Sequence, residues 1–342
     1  MRRYMKPLVA LLAGLACALP LALGTTSVTA SEPLAKELFG AHRLPAATPP
    51  RAHGSYSRGC MEGGVAIAVD GPNWQAMRVS RNRRWGHPEM VRIVERLSRE
   101  AAQDGWPGLL VGDLSQPRGG PMLSGHASHQ IGLDADIWFT PMPDRRLSAE
   151  ERENVSAQSL LADGSLHVDD RRWTRAHEAV LRRAASYPEV ERILVHPGIK
   201  RRLCDTVSGD RGWLGKIRPF WGHDYHFHIR IGCPAGSNNC QRQEAVAQGT
   251  GCDASLDWWF TEEPWRPAEG PQQPRARDVM TMANLPNACR AVLQAPNPVS
   301  EAAVTVSGPM QPRASAAASP PSALGYAPMP ETLFAPVPRP RR

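Results

Sequence analysis

What this chain of 342 residues has little of narrows its class before any motif is read. Aromatic residues are only 6% of it, although ten of them are Trp. Beyond the first thirty residues no stretch is apolar enough, over the ~20 residues a bilayer requires, to span a membrane. Basic charge is not concentrated. The formal net charge is +7, but Arg2, Arg3 and Lys6 stand in residues 1–30 without an acid, and four Arg face two Glu in residues 291–342. The 260 residues between carry only +2. A nucleic-acid-binding domain needs a dense basic face, so no nucleic-acid partner is expected. There is no Cys-x-x-Cys pair, which argues against a structural zinc site. There is no Gly-x-Ser-x-Gly elbow, which sets aside a Ser–His–Asp hydrolase. No internal repeat is evident. The 42% apolar content is ordinary for a globular chain and supplies a sizeable core.

The two ends differ from the middle. Residues 1–30 read as a secretory signal peptide, with a basic start, an apolar run from Leu8 to Leu23 broken by Pro20, and Val28-Thr29-Ala30 before a cut. The run is short for an anchor, and Gly14-Leu15-Ala16 is a poor context for lipid attachment at Cys17. Removing the signal leaves Cys60, Cys204, Cys233, Cys240, Cys252 and Cys289. An even set in an exported chain points to disulfides, with fifteen pairings open. Residues 31–55 read as a polar, proline-bearing leader and residues 56–290 as one folded domain. Residues 291–342, holding eleven of the 33 Pro, read as a disordered Pro/Ala-rich tail.

Within the domain, Val91, Val94, Leu97 and Ala101 predict a helix over 88–104, and Trp173, Val180, Leu181 and Ala184 a second over 170–187. Leu109-Leu110-Val111 and Ile193-Leu194-Val195 read as strands. A long Gly-, Ser- and Pro-rich stretch, 115–132, reads as a functional loop. Residues 133–139 alternate, with Asp134, Asp136 and Trp138 on one face, and residues 225–231 put His226, His228 and Arg230 on one face. Helices and strands mix without a regular βαβ repeat, so the α+β class is expected.

Five of the eleven His fall in two windows, Gly125-His-Ala-Ser-His-Gln130 and His223-Asp-Tyr-His-Phe-His228. Zinc takes nitrogen and oxygen donors in a tetrahedron, and a catalytic site leaves one position for water. His129 and Asp136 are positioned to converge on one ion, with one of His226 and His228 as third ligand. The other His of that strand face remains to carry a proton, since its pKa lies near working pH.

These windows, with Ser115-Gln-Pro-Arg-Gly-Gly-Pro121 and Gly132-Leu-Asp-Ala-Asp-Ile137, resemble penicillin-insensitive murein endopeptidases. Those belong with the zinc metallopeptidases related to D-Ala-D-Ala peptidases, lysostaphin-type enzymes and hedgehog domains. The resemblance covers roughly residues 56–290. It implies a small central antiparallel sheet with flanking helices and the zinc seated on the sheet. It implies His129, Asp136 and His228 as ligands, His126 as an accessory donor, and His226 as general base with His223 as the second candidate. It further implies a second ion through a family Asp-Gly-x-His stretch, matched here one residue longer by Asp163 and His167. The implied disulfides are Cys60–Cys289, Cys204–Cys252 and Cys233–Cys240. The implied reaction is hydrolysis of D-alanyl–meso-diaminopimelyl cross-links of peptidoglycan in the periplasm, insensitive to β-lactams. Arg118 and Arg230 are candidates for stabilising the tetrahedral oxyanion or for gripping substrate carboxylates, with ordinary surface roles as the alternative. A D,D-carboxypeptidase on the same scaffold and a non-catalytic zinc-containing wall-binding module are the rival readings.

Overall fold

A computed structural model describes residues 32–267 and 269–306. The expected signal peptide at 1–30 and residues 307–342 of the expected tail lie outside the described residues. The chain starts with α1 (Ala35–Gly40), then β1 (Arg51–Ser55), β2 (Arg58–Glu62), β3 (Val65–Ile67), β4 (Asp70–Gly71), β5 (Trp74–Ala76) and β6 (Trp85–Gly86). Next come α2 (Pro88–Gln103), β7 (Leu109–Val111), β8 (Asp134–Trp138), α3 (Ala149–Asn154), α4 (Arg175–Ser186), β9 (Val190–Val195) and α5 (Pro197–Thr206). The last elements are β10 (Ile217–Pro219), β11 (His226–Ile231), α6 (Ala254–Asp257), α7 (Ala276–Val279), α8 (Ala288–Gln294) and β12 (Thr305–Val306).

The class is α+β, as expected, but the main sheet is neither small nor purely antiparallel. It has seven strands in the order β10-β9-β11-β8-β7-β5-β4. The pairs β10/β9 and β5/β7 are parallel and the rest antiparallel. The 2–3-residue strands at its margins are too short to show a two-residue period, which is why the sequence reveals only the centre. The strands read from alternation, β8 and β11, are adjacent in mid-sheet. Their apolar faces, Ala135 and Ile137 with Phe227, Ile229 and Ile231, are buried in the main core. Helix α2 lays Met90, Val91, Val94, Leu97 and Ala101 into that core and packs against α4. The opposite faces of β8 and β11 are also buried, and they are polar. Burying that much polarity is costly unless it is paired.

The leader and the start of the tail are corrected by the structure. Residues 31–55 carry α1 and β1, and β1 pairs with β2. Phe39 is fully buried beside Cys60, Met282, Leu285, Cys289 and Val292 in a second small core. That core joins the two ends of the domain, and the Cys60–Cys289 disulfide crosses it. The pairs Cys204–Cys252 and Cys233–Cys240 are also formed, so all three implied bridges are present. Beyond residue 290, α8 continues to Gln294 and β12 pairs with β3. Proline content hid these segments, because their order comes from distant partners rather than from local period.

Arg118 completes the junction and is no substrate hand. It is 1% exposed, and its guanidinium donates to the carbonyls of Val292 (2.5 Å), Leu293 (3.0 Å) and Ala295 (2.8 Å) and to Asn297 Oδ1 (2.8 Å). The side chain is fully occupied in clasping the C-terminal segment.

Among the described residues, each of the three longest helices has a histidine holding its N-terminus, at the cap of α2 and α5 and in the first turn of α4. His87 Nδ1 accepts the Glu89 N–H (3.2 Å) at α2, and His196 Nδ1 accepts the Gly198 N–H (3.0 Å) at α5. In α4, His177 Nδ1 accepts the Thr174 N–H (3.0 Å), the return half of a capping box, while its Nε2–H donates to the Phe139 carbonyl (3.2 Å). A nitrogen can accept in this way only while its imidazole is neutral. Burial pushes all three down to about 4.

Candidate metal centre

The antiparallel register of β8 and β11 sets Asp136 opposite His228 and Asp134 opposite Arg230, all on one buried face. The long loop before β8 then brings in His126 and His129. Gly132 closes that loop at a φ of +70°, where a Cβ would meet Met61 Sδ at 2.1 Å and the His87 backbone nitrogen at 2.8 Å. His129 and His223 both hold left-handed backbone, with φ of 67° and 59°. Such strain persists where the surroundings over-determine it. Here the His129 N–H is fixed by Asp134 Oδ2 (2.8 Å), and the His223 carbonyl accepts the His196 N–H (2.9 Å).

Each imidazole is oriented by a bond on its far side. His129 donates from Nδ1 to the Leu114 carbonyl (2.5 Å), His126 from Nε2 to Asp113 Oδ2 (2.9 Å), and His228 from Nε2 to Asp134 Oδ1 (2.9 Å). The remaining nitrogens face Asp136. His129 Nε2 lies 3.4 Å and His228 Nδ1 3.2 Å from Asp136 Oδ1, and His126 Nδ1 lies 3.4 Å from Oδ2. Asp136 Oδ1 and His129 Nε2 are buried and have no hydrogen-bond partner. Buried polar atoms are rarely left so. Donors about 2.0–2.2 Å from one tetrahedral ion stand roughly 3.3–3.5 Å apart, which matches these separations. His126, His129 and Asp136 bring ligand atoms within 4.8 Å of one another, and they are the one such group among the described residues. The donor set therefore fits a zinc-type ion.

The field around the centre is set by burial against charge. Burial alone would raise Asp136, but the facing imidazoles of His226, His129 and His126 outweigh it and hold the carboxyl well below its usual range. Burial likewise opposes His228, yet Asp134 and then Asp136 push it up to about 8. Burial lowers His226 to about 4 and His223 well below 6.5, so both are neutral proton acceptors near pH 7. His226 Nε2 lies 3.6 Å from Asp136 Oδ1, and its Nδ1 is buried without a partner. The His223 ring stands 4.8 Å from His226 and is oriented by an Nδ1–H donated to the Trp221 carbonyl (2.8 Å).

The remaining candidates stand elsewhere. Arg230 is 6% exposed; it donates from Nε to Asp134 Oδ1 (2.6 Å) and from Nη1 to Gln243 Oε1 (2.7 Å), and lies 4.1 Å over the Tyr56 ring. It neutralises Asp134 behind the centre, with its guanidinium taken up by Asp134, Gln243 and the Tyr56 ring. Asp163 is exposed and paired with Arg172 (2.9 Å), while the His167 ring stacks on Phe260 at 5.1 Å. Among the described residues no third ligand joins these two.

Two carboxylates carry more of the site than the sequence revealed. Asp134 was legible as a same-face neighbour of Asp136, but its role appears only from the cross-strand register. Asp113, which also binds Arg83 (3.0 Å), follows β7 with no motif around it. Asp134→Asn keeps the shape but removes the charge that orients His228. Metal affinity is expected to fall by about 10–100-fold, measured by competition with a chromophoric chelator. Unchanged affinity would leave Asp134 a role in the fold alone.

A model of the penicillin-insensitive murein endopeptidase family matches residues 52–294. Curated proteins of that name are similar to most of this chain. The one from Haemophilus influenzae is 42% identical over 246 residues, covering 71% of this chain and 82% of the relative. The one from Salmonella heidelberg is 39% identical over 252 residues, 74% of this chain and 88% of the relative. The one from Klebsiella pneumoniae is 38% identical over 240 residues, 70% and 85% respectively.

Proposed function

The chain belongs to the penicillin-insensitive murein endopeptidase family, and from that premise we propose that it is a zinc-dependent endopeptidase cleaving D-alanyl–meso-diaminopimelyl cross-links of peptidoglycan. His129, Asp136 and His228 would hold the ion, with His126 beside them. The observation that carries this reading is the pair of buried, unpartnered donors, His129 Nε2 and Asp136 Oδ1, amid imidazoles already turned toward them. Zinc bound there supplies Lewis-acid chemistry, drawing electron density from oxygen and easing loss of a proton from water.

The protein's own groups do the rest. His226, neutral because it is buried, takes a proton at Nε2 from the attacking water and returns it to the diaminopimelyl amine as the D-alanyl C–N bond breaks. His223 stands against His226 and either shares the proton or donates to the developing oxyanion. Asp113 and Asp134 keep the ring planes and tautomers fixed, so little reorganisation accompanies the reaction. No serine is acylated on this route, which accords with insensitivity to β-lactams. The scaffold is read as akin to D-Ala-D-Ala peptidases, lysostaphin-type enzymes and hedgehog domains. Three disulfides support export, with the periplasm as the site of action and residues 1–30 as the signal.

A defined cross-linked muropeptide dimer tests this. The zinc-loaded protein is expected to yield monomers, and chelation followed by zinc readdition to abolish and restore the yield. Released free D-Ala with intact dimer would assign a D,D-carboxypeptidase instead. Wall binding with bound zinc and no products would assign a binding module.

A further inference from the structure

The segment that carries His223 runs into a patch of aromatic rings that the reaction does not use. Phe220 and Trp221 lead into it, and Trp258, Trp259, Phe260 and Trp265 come from two single-turn helices after α6. The rings touch in succession. His223 lies 5.5 Å from Phe220, Phe220 5.5 Å from Trp221, and Trp221 4.5 Å from Trp259 and 6.4 Å from Trp258. Interplanar angles between 61° and 86° make these edge-to-face contacts, which hold one ring upright against the next. Two indoles are also pinned by N–H bonds to main-chain carbonyls, Trp221 to Pro264 (2.9 Å) and Trp265 to Trp259 (2.7 Å).

A core would bury such rings completely. Here Trp259 is buried, but Phe220, Trp221, Trp258, Phe260 and Trp265 are each only half-buried. His167 stacks on Phe260 (5.1 Å) and His196 on Trp265 (5.7 Å), so Phe220, Trp221 and Trp258 are left to form a rigid apolar shelf, partly open to water and continuous with the catalytic imidazoles. Apolar patches of this kind on a soluble protein mark recognition sites. The rim of the shelf is polar. Asp257, Thr261 and Glu262 are exposed, and Arg201 pairs with Asp257 while lying 5.0 Å over the Phe260 ring. Flat apolar faces with planar hydrogen-bonding groups at their edges complement a saturated sugar ring, which offers C–H faces and a hydroxyl-bearing rim. The cross-linked stem peptide, short and charged, has no flat apolar face to offer.

We propose that this aromatic shelf binds pyranose rings of the glycan strand from which the cross-linked peptide hangs, so that the enzyme reads sugar as well as peptide. The proposal rests on the peptidoglycan reading above. Two dimers with the same cross-link decide it, one bearing its disaccharides and one stripped of them by an amidase. Trp258→Ala is expected to raise KM for the sugar-bearing dimer about three- to tenfold, with the loss confined to that substrate and kcat held. Trp258→Phe should recover most of it. Equal effects on both dimers, or no effect on either, overturn the proposal. Independently of turnover, peptide-free N-acetylated glycan oligomers titrated into the full-length wild-type chain are expected to shift its tryptophan emission saturably at millimolar concentration. That shift should be weakened in Trp258→Ala, with an unchanged melting temperature showing that the variant is folded. A flat wild-type titration overturns the proposal. A wild-type chain that cleaves neither dimer yet gives the saturable shift overturns the peptidase reading and upholds the shelf.

Discussion

A His129→Ala protein is expected to retain no zinc after dialysis and to lose about 10³-fold or more in kcat on cross-linked dimers. Removing the ligand forfeits the several kcal/mol that a Lewis acid gives the transition state, and ~4 kcal/mol is about a thousandfold in rate. It also takes away one of the imidazoles that hold the buried Asp136 carboxyl in its charged form. The informative partner is His226→Ala. That protein is expected to keep its zinc and still lose about 10²–10⁴-fold in turnover, the range a positioned acid–base group supplies. Elemental analysis with product quantification on the same samples checks both. A His129→Ala protein with full zinc would overturn the ligand assignment. A His226→Ala protein with wild-type turnover would transfer the proton step to His223.

Stability is expected to fall by several kcal/mol between pH 6.5 and pH 4, and the three helix-capping histidines are the reason. Above about 6.5, folded and unfolded chains alike carry neutral His87, His177 and His196. As pH drops, the unfolded chain takes up protons that the folded chain refuses until about 4. Each site then contributes up to about 3 kcal/mol of lost stability, against a total of ~5–15 kcal/mol for a typical domain. Burial is the main cause at each site. Glu89 and Arg92 face His87 with opposing effects, as Asp224 and His167 do for His196, while His177 meets the Phe139 carbonyl, the Thr174 amide and hydroxyl, and the Trp106 and Trp173 rings. The carboxyls of Asp113, Asp134 and Asp136 are depressed, so their contribution persists through this window and fails only below it. Buried His129, His223 and His226 act in the same sense in metal-free protein, so substitution is needed to isolate the caps. His87→Asn and His196→Asn keep a good cap that does not titrate. Urea unfolding at pH 7, 5.5 and 4.5 should show a shallower acid slope in the double variant than in wild type. An identical slope would place the acid sensitivity elsewhere.

The parts legible in the sequence are those whose information is local. Alternation over 133–139 and 225–231 located the two strands that hold the centre, because each is long enough to show a two-residue period and both join in mid-sheet. Helix α2 announced itself through Val91, Val94, Leu97 and Ala101. What was missed depends on distant partners. Arg118 sits in a loop that resembles a substrate-binding stretch, and only the folded chain shows its guanidinium spent on residues about 175 positions away. Asp113 shares no motif with His126, and the two meet because β7 lies beside β8. Taken one at a time, the proline-bearing segments at the two ends read as a leader and a disordered tail. They are ordered against each other.

That mutual dependence has a consequence for when the enzyme becomes active. The loop bearing His129 and Gln130 leans on β2, with Gly59 donating to Gln130 Oε1 (3.2 Å) and Gly120 to the Gln130 carbonyl (2.9 Å), and β2 is bridged to Cys289. A ribosome has therefore translated nearly 300 codons before the final support of the centre exists, and the oxidised bridge closes only in a compartment that permits it. The centre therefore lacks part of its support until the C-terminal segment has been made and the bridge has formed. A chain ending at residue 287 is expected to stay protease-sensitive and inert, as limited trypsin digestion would reveal. The polypeptide carries its own timing in the distance between its two ends.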